Sequence, residues 1–214
     1  MDKGKLLEAI KSARGTKERK FAQSFDLIIN LKDLNLKKPD EQIDLYIALP
    51  EGLGKERRVC GLVGPELVEE SRKELDHTIT LVDFETLDKK AIKKLTEEYD
   101  FFVAQANIMA KVAGTFGRIF GPRNKMPNPK GGCVVPPKAN LKPVKERLNN
   151  TIRVLAKKSL VIQTCVGRES MTDEQIAENI LFSFGTIVHA LPKEQNNIRN
   201  VFIKTTMGQA VQVE

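Results

Sequence analysis

The spacing of hydrophobic and polar positions changes along the chain, and each change marks a new element. Between residues 2 and 14, Leu6, Leu7 and Ile10 fall on one helical face with Lys3, Lys5, Lys11 and Arg14 around the rest, which predicts a basic amphipathic helix. The period then drops to two. Phe25, Leu27, Ile29 and Leu31 alternate with Asp26, Ile28, Asn30 and Lys32, and Ile43, Leu45, Ile47 and Leu49 form a second alternating run. This predicts two strands of one sheet, an antiparallel pair with Pro39-Asp40 in the long connection and Pro50-Glu51-Gly52 closing the second strand.

From about Arg58 short apolar runs alternate with helical patterns. Val59 to Val63, Thr78 to Val82 and Phe101 to Ala104 read as strands, and Gly64-Pro65 opens a helix with proline near its first position. Thr86 to Tyr99 aligns Ala91, Ile92, Leu95 and Tyr99, and Asn107 stands where it could cap a helix carrying Ile108, Val112, Phe116 and Ile119. Strands alternating with helices predict a parallel sheet with crossover helices. After Asn150 the first texture returns. Leu160 to Val166 reads as a strand, Thr172-Asp173-Glu174-Gln175 is a capping box, and Ile176, Ile180, Leu181, Phe184, Ile187 and Val188 line the helix that Pro192 ends. Val201 to Thr205 and Gln209 to Val213 are two last strands around Thr206-Met207-Gly208, which reads as a turn.

Neither terminal segment can bury its apolar faces alone. The reading is therefore an α/β protein of two domains: a discontinuous split α+β domain from residues 1–60 and 152–214, carrying an inserted α/β domain at 61–151. The two crossings form a double connection that could serve as a hinge.

Composition narrows the function classes. The 214 residues are 41% hydrophobic and 29% charged, so the chain is expected to fold in water, and no run reaches the length of a spanning helix. The N-terminus begins with alternating charges and predicts no secretory signal. Three cysteines without a CxxC pair support neither a disulfide framework nor a zinc ribbon and suggest a reducing cytosol. Neither of the two histidines, His77 and His189, has a metal-ligand or triad neighbour in sequence, so a His-based metal site or catalytic triad is not expected, and no motif calls for a cofactor.

The net charge of +7 favours a polyanionic partner without naming it. Its distribution is sharper: residues 62–100 hold 11 acids and 6 bases, whereas residues 101–145 hold 8 bases and no acid. Within that basic stretch, residues 117–132 contain four glycines and three prolines and are expected to be irregular. Glycines let main chain approach phosphates closely, and Arg118, Arg123, Lys125 and Lys130 supply charge. The loop has neither a Walker nor a dinucleotide fingerprint, so an enzyme handling a phosphorylated small molecule rests on the α/β order alone. A solvated basic connection is the plainer reading of the loop. A second candidate surface is Phe21, next to Lys17, Arg19 and Lys20, as a stacking platform beside Ser24 and Asp26, whose side chains suit ribose hydroxyls and base amines. Taken singly, these read as ordinary core and strand residues.

Three segments, GRIFGPRNKMPNPKGG, TTMGQAVQV and KFAQSFDLIINL, together resemble the large-subunit ribosomal protein of the mobile stalk, the L-one family, in its archaeal form, over nearly the whole chain. The resemblance implies a split α/β domain with an inserted Rossmann-like, three-layer α/β domain. It implies a non-catalytic cytoplasmic protein of the large ribosomal subunit that binds the stalk segment of the ribosomal RNA near the tRNA exit site. Further implied partners are a similar fold in its own messenger RNA, which it represses, and exit-site tRNA; no membrane is involved, and the chain off the ribosome is a monomer. Carried over position by position, the main RNA contact falls on Lys20, Phe21, Ser24 and Asp26, on Gly167 and Arg168, and on Thr206, Met207 and Gly208. The basic loop becomes a secondary electrostatic surface. Asn200 stands where many relatives have a small hydroxyl residue and is not carried over. Asn124-Lys125 and Pro136-Pro137-Lys138 match the archaeal pattern and weaken transfer of bacterial loop details. A general basic chaperone of nucleic acids remains a rival, distinguished by equal affinity for random RNA.

Overall fold

The structure is a computed structural model that describes residues 2–15 and 19–213; Lys17 lies outside the described residues. In chain order the elements are helix α1 (Lys3–Arg14), strands β1 (Ser24–Leu31), β2 (Ile43–Ala48) and β3 (Val59–Val63), helix α2 (Val68–Glu74), strand β4 (His77–Thr80) and helices α3 (Asp83–Thr86) and α4 (Lys89–Glu98). Strand β5 (Phe101–Gln105), helix α5 (Met109–Phe120), strand β6 (Val134–Val135) and helix α6 (Leu141–Asn150) follow. Strands β7 (Thr151–Ala156) and β8 (Val161–Arg168), helix α7 (Asp173–Ala190) and strands β9 (Ile198–Thr205) and β10 (Val211–Gln212) complete the chain. Mixed helices with antiparallel and parallel sheets make this an α/β protein. The chain divides into two compact units, residues 1–55 with 150–214, and residues 56–149, so β3 lies whole within the second.

In the first unit, β1 is flanked on both edges by antiparallel partners, in the order β10-β9-β1-β8. Phe25, Leu27, Ile29 and Leu31 point into one core, shared with Leu6 and Ile10 of α1 and Ile176, Ile180 and Ile187 of α7. Asp2 caps α1 by accepting the Gly4 N–H, and the Thr172–Gln175 capping box opens α7 as its sequence predicts. The expected pairing of the first two strands is corrected here. With both edges of β1 occupied, β2 pairs instead with β7, a strand absent from the sequence reading, in a separate two-stranded sheet. Within β7, Arg153 interrupts the otherwise apolar run from Ile152 to Ala156. Its guanidinium bonds Asp44 at 3.0 and 3.1 Å and lies 5.3 Å from the centre of the Tyr46 ring, while Lys157 Nζ reaches the same carboxylate at 2.8 Å.

Burial pushes the Asp44 carboxyl up, but the hydrogen bonds and charges of Arg153 and Lys157 outweigh it and hold the group below the ordinary aspartate range. A depressed folded-state value contributes stability that is present above the unfolded value, about 3.9, and is lost as pH falls through the folded one. We expect Asp44→Asn to cost about 1.5–3 kcal/mol at neutral pH. In urea titrations, the gap from the parent should shrink as pH drops below about 4; a gap constant down to pH 2 would mean the Asp44 charge contributes nothing.

In the second unit four parallel strands run in the order β4-β3-β5-β6. Every residue of β3 is buried because both sheet faces are covered. Cys60 and Leu62 join Phe84, Phe102, Phe116 and Phe120 on one face, and Val59 and Val63 join Leu67, Leu141 and Leu148 on the other. Gly61 is where α2 comes closest: a Cβ there would lie 2.8 Å from Leu75 Cδ1 and nearer still to Ser71 Oγ. Three local expectations are corrected. Asn107 does not cap α5 but sits in the 3-10 turn Ala106–Ile108 before it. The helix expected over 86–99 begins later, at Lys89, because Thr86 ends a separate short turn that the Asp83 carboxylate starts by accepting the N–H and hydroxyl of Thr80. Gly117–Phe120 are the last turn of α5 and not loop.

Candidate nucleic-acid interface

The ends of β1, β8 and β9 meet at one end of the first unit's large sheet, where Ser24 pairs with Arg168 and Phe25 with Thr205. The residues singled out in three distant segments are therefore brought together. Thr206-Met207-Gly208 turns back directly beyond this edge. Ser24 Oγ and Thr206 Oγ1 stand 3.0 Å apart, and Ser24 N–H also donates to Thr206 Oγ1 at 3.0 Å. Phe21 and Met207 are large apolar side chains left open to solvent, 51% and 59% exposed. Phe21 is thus no core residue, and exposed aromatics of this kind are what stacking on a base requires. Lys20 is exposed beside it, and Arg168 is half-buried.

Asp26 lies on the open face of the sheet, opposite Lys204 on β9 and Cys165 on β8. Partial burial raises its carboxyl above the ordinary range, and the Lys204 charge opposes the rise. Gly167 is buried, and a Cβ there would come within 3.1 Å of Ile176 Cγ1 and 3.2 Å of Met171 Sδ. It serves close packing of β8 on α7 and presents no surface of its own.

The amides of the bend do not face outward. Thr206 N–H donates to Ser24 O at 3.0 Å, Met207 N–H to Gln23 Oε1 at 2.9 Å and Gly208 N–H to Thr205 O at 3.1 Å. With its three donors spent inside the protein, the bend offers hydroxyl groups, carbonyl oxygens and the Met207 side chain. Such a surface suits partners that donate, such as ribose hydroxyls and base amines, better than phosphates. Gln23 and Glu169, which hold this arrangement, were not singled out by sequence: a lone glutamine before a strand and a glutamate in a turn carry no local signal of burial or pairing.

The basic loop of the second unit is placed differently. Helix α5 returns from the carboxyl ends of the strands, so the loop after it lies at their amino edge. There Lys125 Nζ donates to the carbonyls of Tyr99 and Asp100 at 3.0 and 2.9 Å, while Arg123 bonds the Thr96 hydroxyl and, at 3.2 Å, the Lys93 carbonyl. These two cations tie the loop to the end of α4; Arg118 and Lys130 are exposed. Nucleotide sites of open α/β sheets lie at the opposite, carboxyl edge, at the switch point between β3 and β5. In this chain Gln105 fills that point, accepting the Gly64 N–H at 2.8 Å and donating to the Glu66 carboxylate at 2.8 Å. A carboxylate at that position repels a phosphate. Among the described residues no group of three or more His, Cys, Asp and Glu side chains could hold a metal ion, and no helix is long and apolar enough to cross a membrane.

Comparison with known proteins gives a consistent result. The family model described as Ribosomal protein L1p/L10e family matches residues 10–209. Large ribosomal subunit protein uL1 of Pyrococcus horikoshii is 40% identical over 217 aligned residues, covering 100% of this chain and 97% of that protein. Its namesake in Nanoarchaeum equitans is 42% identical over 211, covering 97% and 98%. That of Methanococcus voltae is 39% identical over 217, with both chains covered in full.

Proposed function

The chain belongs to the ribosomal protein L1p/L10e family, as a structural ribosomal protein and not an enzyme, and from that premise we propose that its first unit recognises a folded segment of large-subunit ribosomal RNA at the mobile stalk near the tRNA exit site. The same surface binds a similar fold in its own messenger RNA and so represses translation. Exit-site tRNA is a further partner of the ribosome-bound protein.

The observation that carries this reading is the Ser24–Thr206 hydroxyl pair at one sheet end, with exposed Met207 next to Thr206 and exposed Phe21 three residues before Ser24 in the chain. Phe21 and Met207 pack on a base or ribose, the hydroxyls and carbonyls of the bend accept from ribose hydroxyls and base amines, and Lys20 and Arg168 place the backbone through phosphates. Contour selects the RNA; charge attracts it. Arg118 and Lys130 add a sequence-independent attraction from the second unit.

Filter binding of the full chain to an archaeal stalk RNA segment and to a scrambled RNA of equal length, at two salt concentrations, tests the reading. Tighter binding of the stalk segment at both salts is expected. Arg118→Ala with Lys130→Ala should weaken both RNAs alike and lower the salt slope by roughly one unit or less for each phosphate no longer neutralised. Equal affinity for the two RNAs in the parent chain would sink the proposal in favour of a general nucleic-acid binder.

A further inference from the structure

The interface is backed by a partly buried chain of hydrogen bonds that touches none of the exposed side chains assigned to the RNA. Gln23 is 2% exposed and uses both ends of its amide: Oε1 accepts the Met207 N–H at 2.9 Å, and Nε2 donates to Glu169 Oε1 at 3.0 Å. The second Glu169 oxygen accepts the Gln23 main-chain N–H at 2.8 Å, and Glu169 N–H returns to Gln23 O at 3.0 Å. Behind them, Arg14 donates to the carbonyls of Glu169 and Met171 at 2.7 and 2.9 Å and to Asp173 at 2.9 Å, with its guanidinium 5.2 Å from the Phe25 ring centre. Arg14 thereby fixes the turn that carries Glu169, Glu169 fixes the Gln23 amide, and Gln23 fixes Met207.

We propose that Gln23 and Glu169 are positioning residues for RNA binding, acting through the Met207 main chain to hold the bend with its amides turned inward and its methionine outward. The inference rests on the RNA reading of this site and adds to it two residues that do not touch RNA. Each hydrogen bond has a defined donor, which gives the idea a strict consequence. In Gln23→Glu two carboxylates face each other. In Glu169→Gln one of the two Gln23 donors meets an amide N–H in place of an oxygen. In the double variant all three bonds re-form: the residue 23 N–H to the amide oxygen at 169, the amide N–H at 169 to the carboxylate at 23, and the Met207 N–H to that same carboxylate.

The experiment is a double-mutant cycle on the full chain, with the stalk RNA segment and its scrambled counterpart as probes. Each single variant should bind the stalk segment roughly fivefold to tenfold more weakly, the scale of one hydrogen bond to a charged or buried group. The double variant should return to within roughly threefold of the parent, a rescue that general loosening would not give. Amide exchange of Met207 in the unbound proteins is the second measurement, with protection expected in the parent and the double variant and absent in the single variants. Singles that bind as tightly as the parent, a double no better than the weaker single, or equal Met207 protection in all four proteins would overturn the proposal. Failure of the parent itself to prefer stalk RNA would instead overturn the RNA reading on which it rests.

Discussion

Replacing Asn179 with alanine is expected to destabilise the chain by about 3–5 kcal/mol, because it removes one side chain and strands three main-chain groups. Asn179 is fully buried on α7. Its Oδ1 accepts the Glu51 N–H at 3.1 Å, and its Nδ2 donates to Gly52 O at 2.7 Å and Val166 O at 2.9 Å. It thus joins the turn after β2 and the end of β8 to the long helix, where an apolar residue would fill the space but leave each partner without water or protein. Each such orphan costs about 1–3 kcal/mol. Asn179→Asp separates geometry from donor chemistry, since it keeps the shape and loses both donated bonds; it should be as damaging as alanine. Urea unfolding that reports less than about 1 kcal/mol for either variant would mean that solvent reaches the three groups. The site is linked to this staple, because Val166 lies two residues before Arg168.

What the sequence makes legible follows from the range of the interaction. The alternation of Phe25, Leu27, Ile29 and Leu31 and the capping box at Thr172 are local patterns, and both fold as read. Strand partnership is not local. The run Ile43 to Ala48 has the right period for a neighbour of β1, yet β7 holds it, more than a hundred residues away and disguised by Arg153. The same limit governs the site. Phe21 and Ser24 are picked out beside a basic cluster and Thr206 and Met207 by the family resemblance, and the fold joins Ser24 to Thr206. Gln23 and Glu169 are joined across 146 positions, and nothing beside either one announces the pairing. Charge is legible as a sum but not as a role: Arg123 and Lys125 count as two cations of a basic loop, while the fold spends both on the end of α4.

The double variant Phe21→Ala with Met207→Ala is expected to weaken binding of the stalk RNA segment by about 2–4 kcal/mol, from about 1–3 kcal/mol for each exposed group that stacks or packs on the RNA. At about 1.4 kcal/mol per factor of ten, this is a rise in Kd of roughly thirtyfold to several hundredfold. Neither side chain supports the fold, being 51% and 59% exposed, so thermal unfolding should be unchanged within error. Neither carries charge, so the dependence of log K on log salt should keep its slope while the whole line moves down. Lys20→Ala should do the reverse, lowering the slope by about one unit with a smaller loss of preference for the stalk segment. The two variants therefore separate contour from charge on one surface. If the apolar pair changed only the slope, or if Lys20→Ala abolished the preference while Phe21→Ala with Met207→Ala left it intact, recognition would rest on electrostatics, and the hydroxyl-lined bend between those side chains would be scaffold alone.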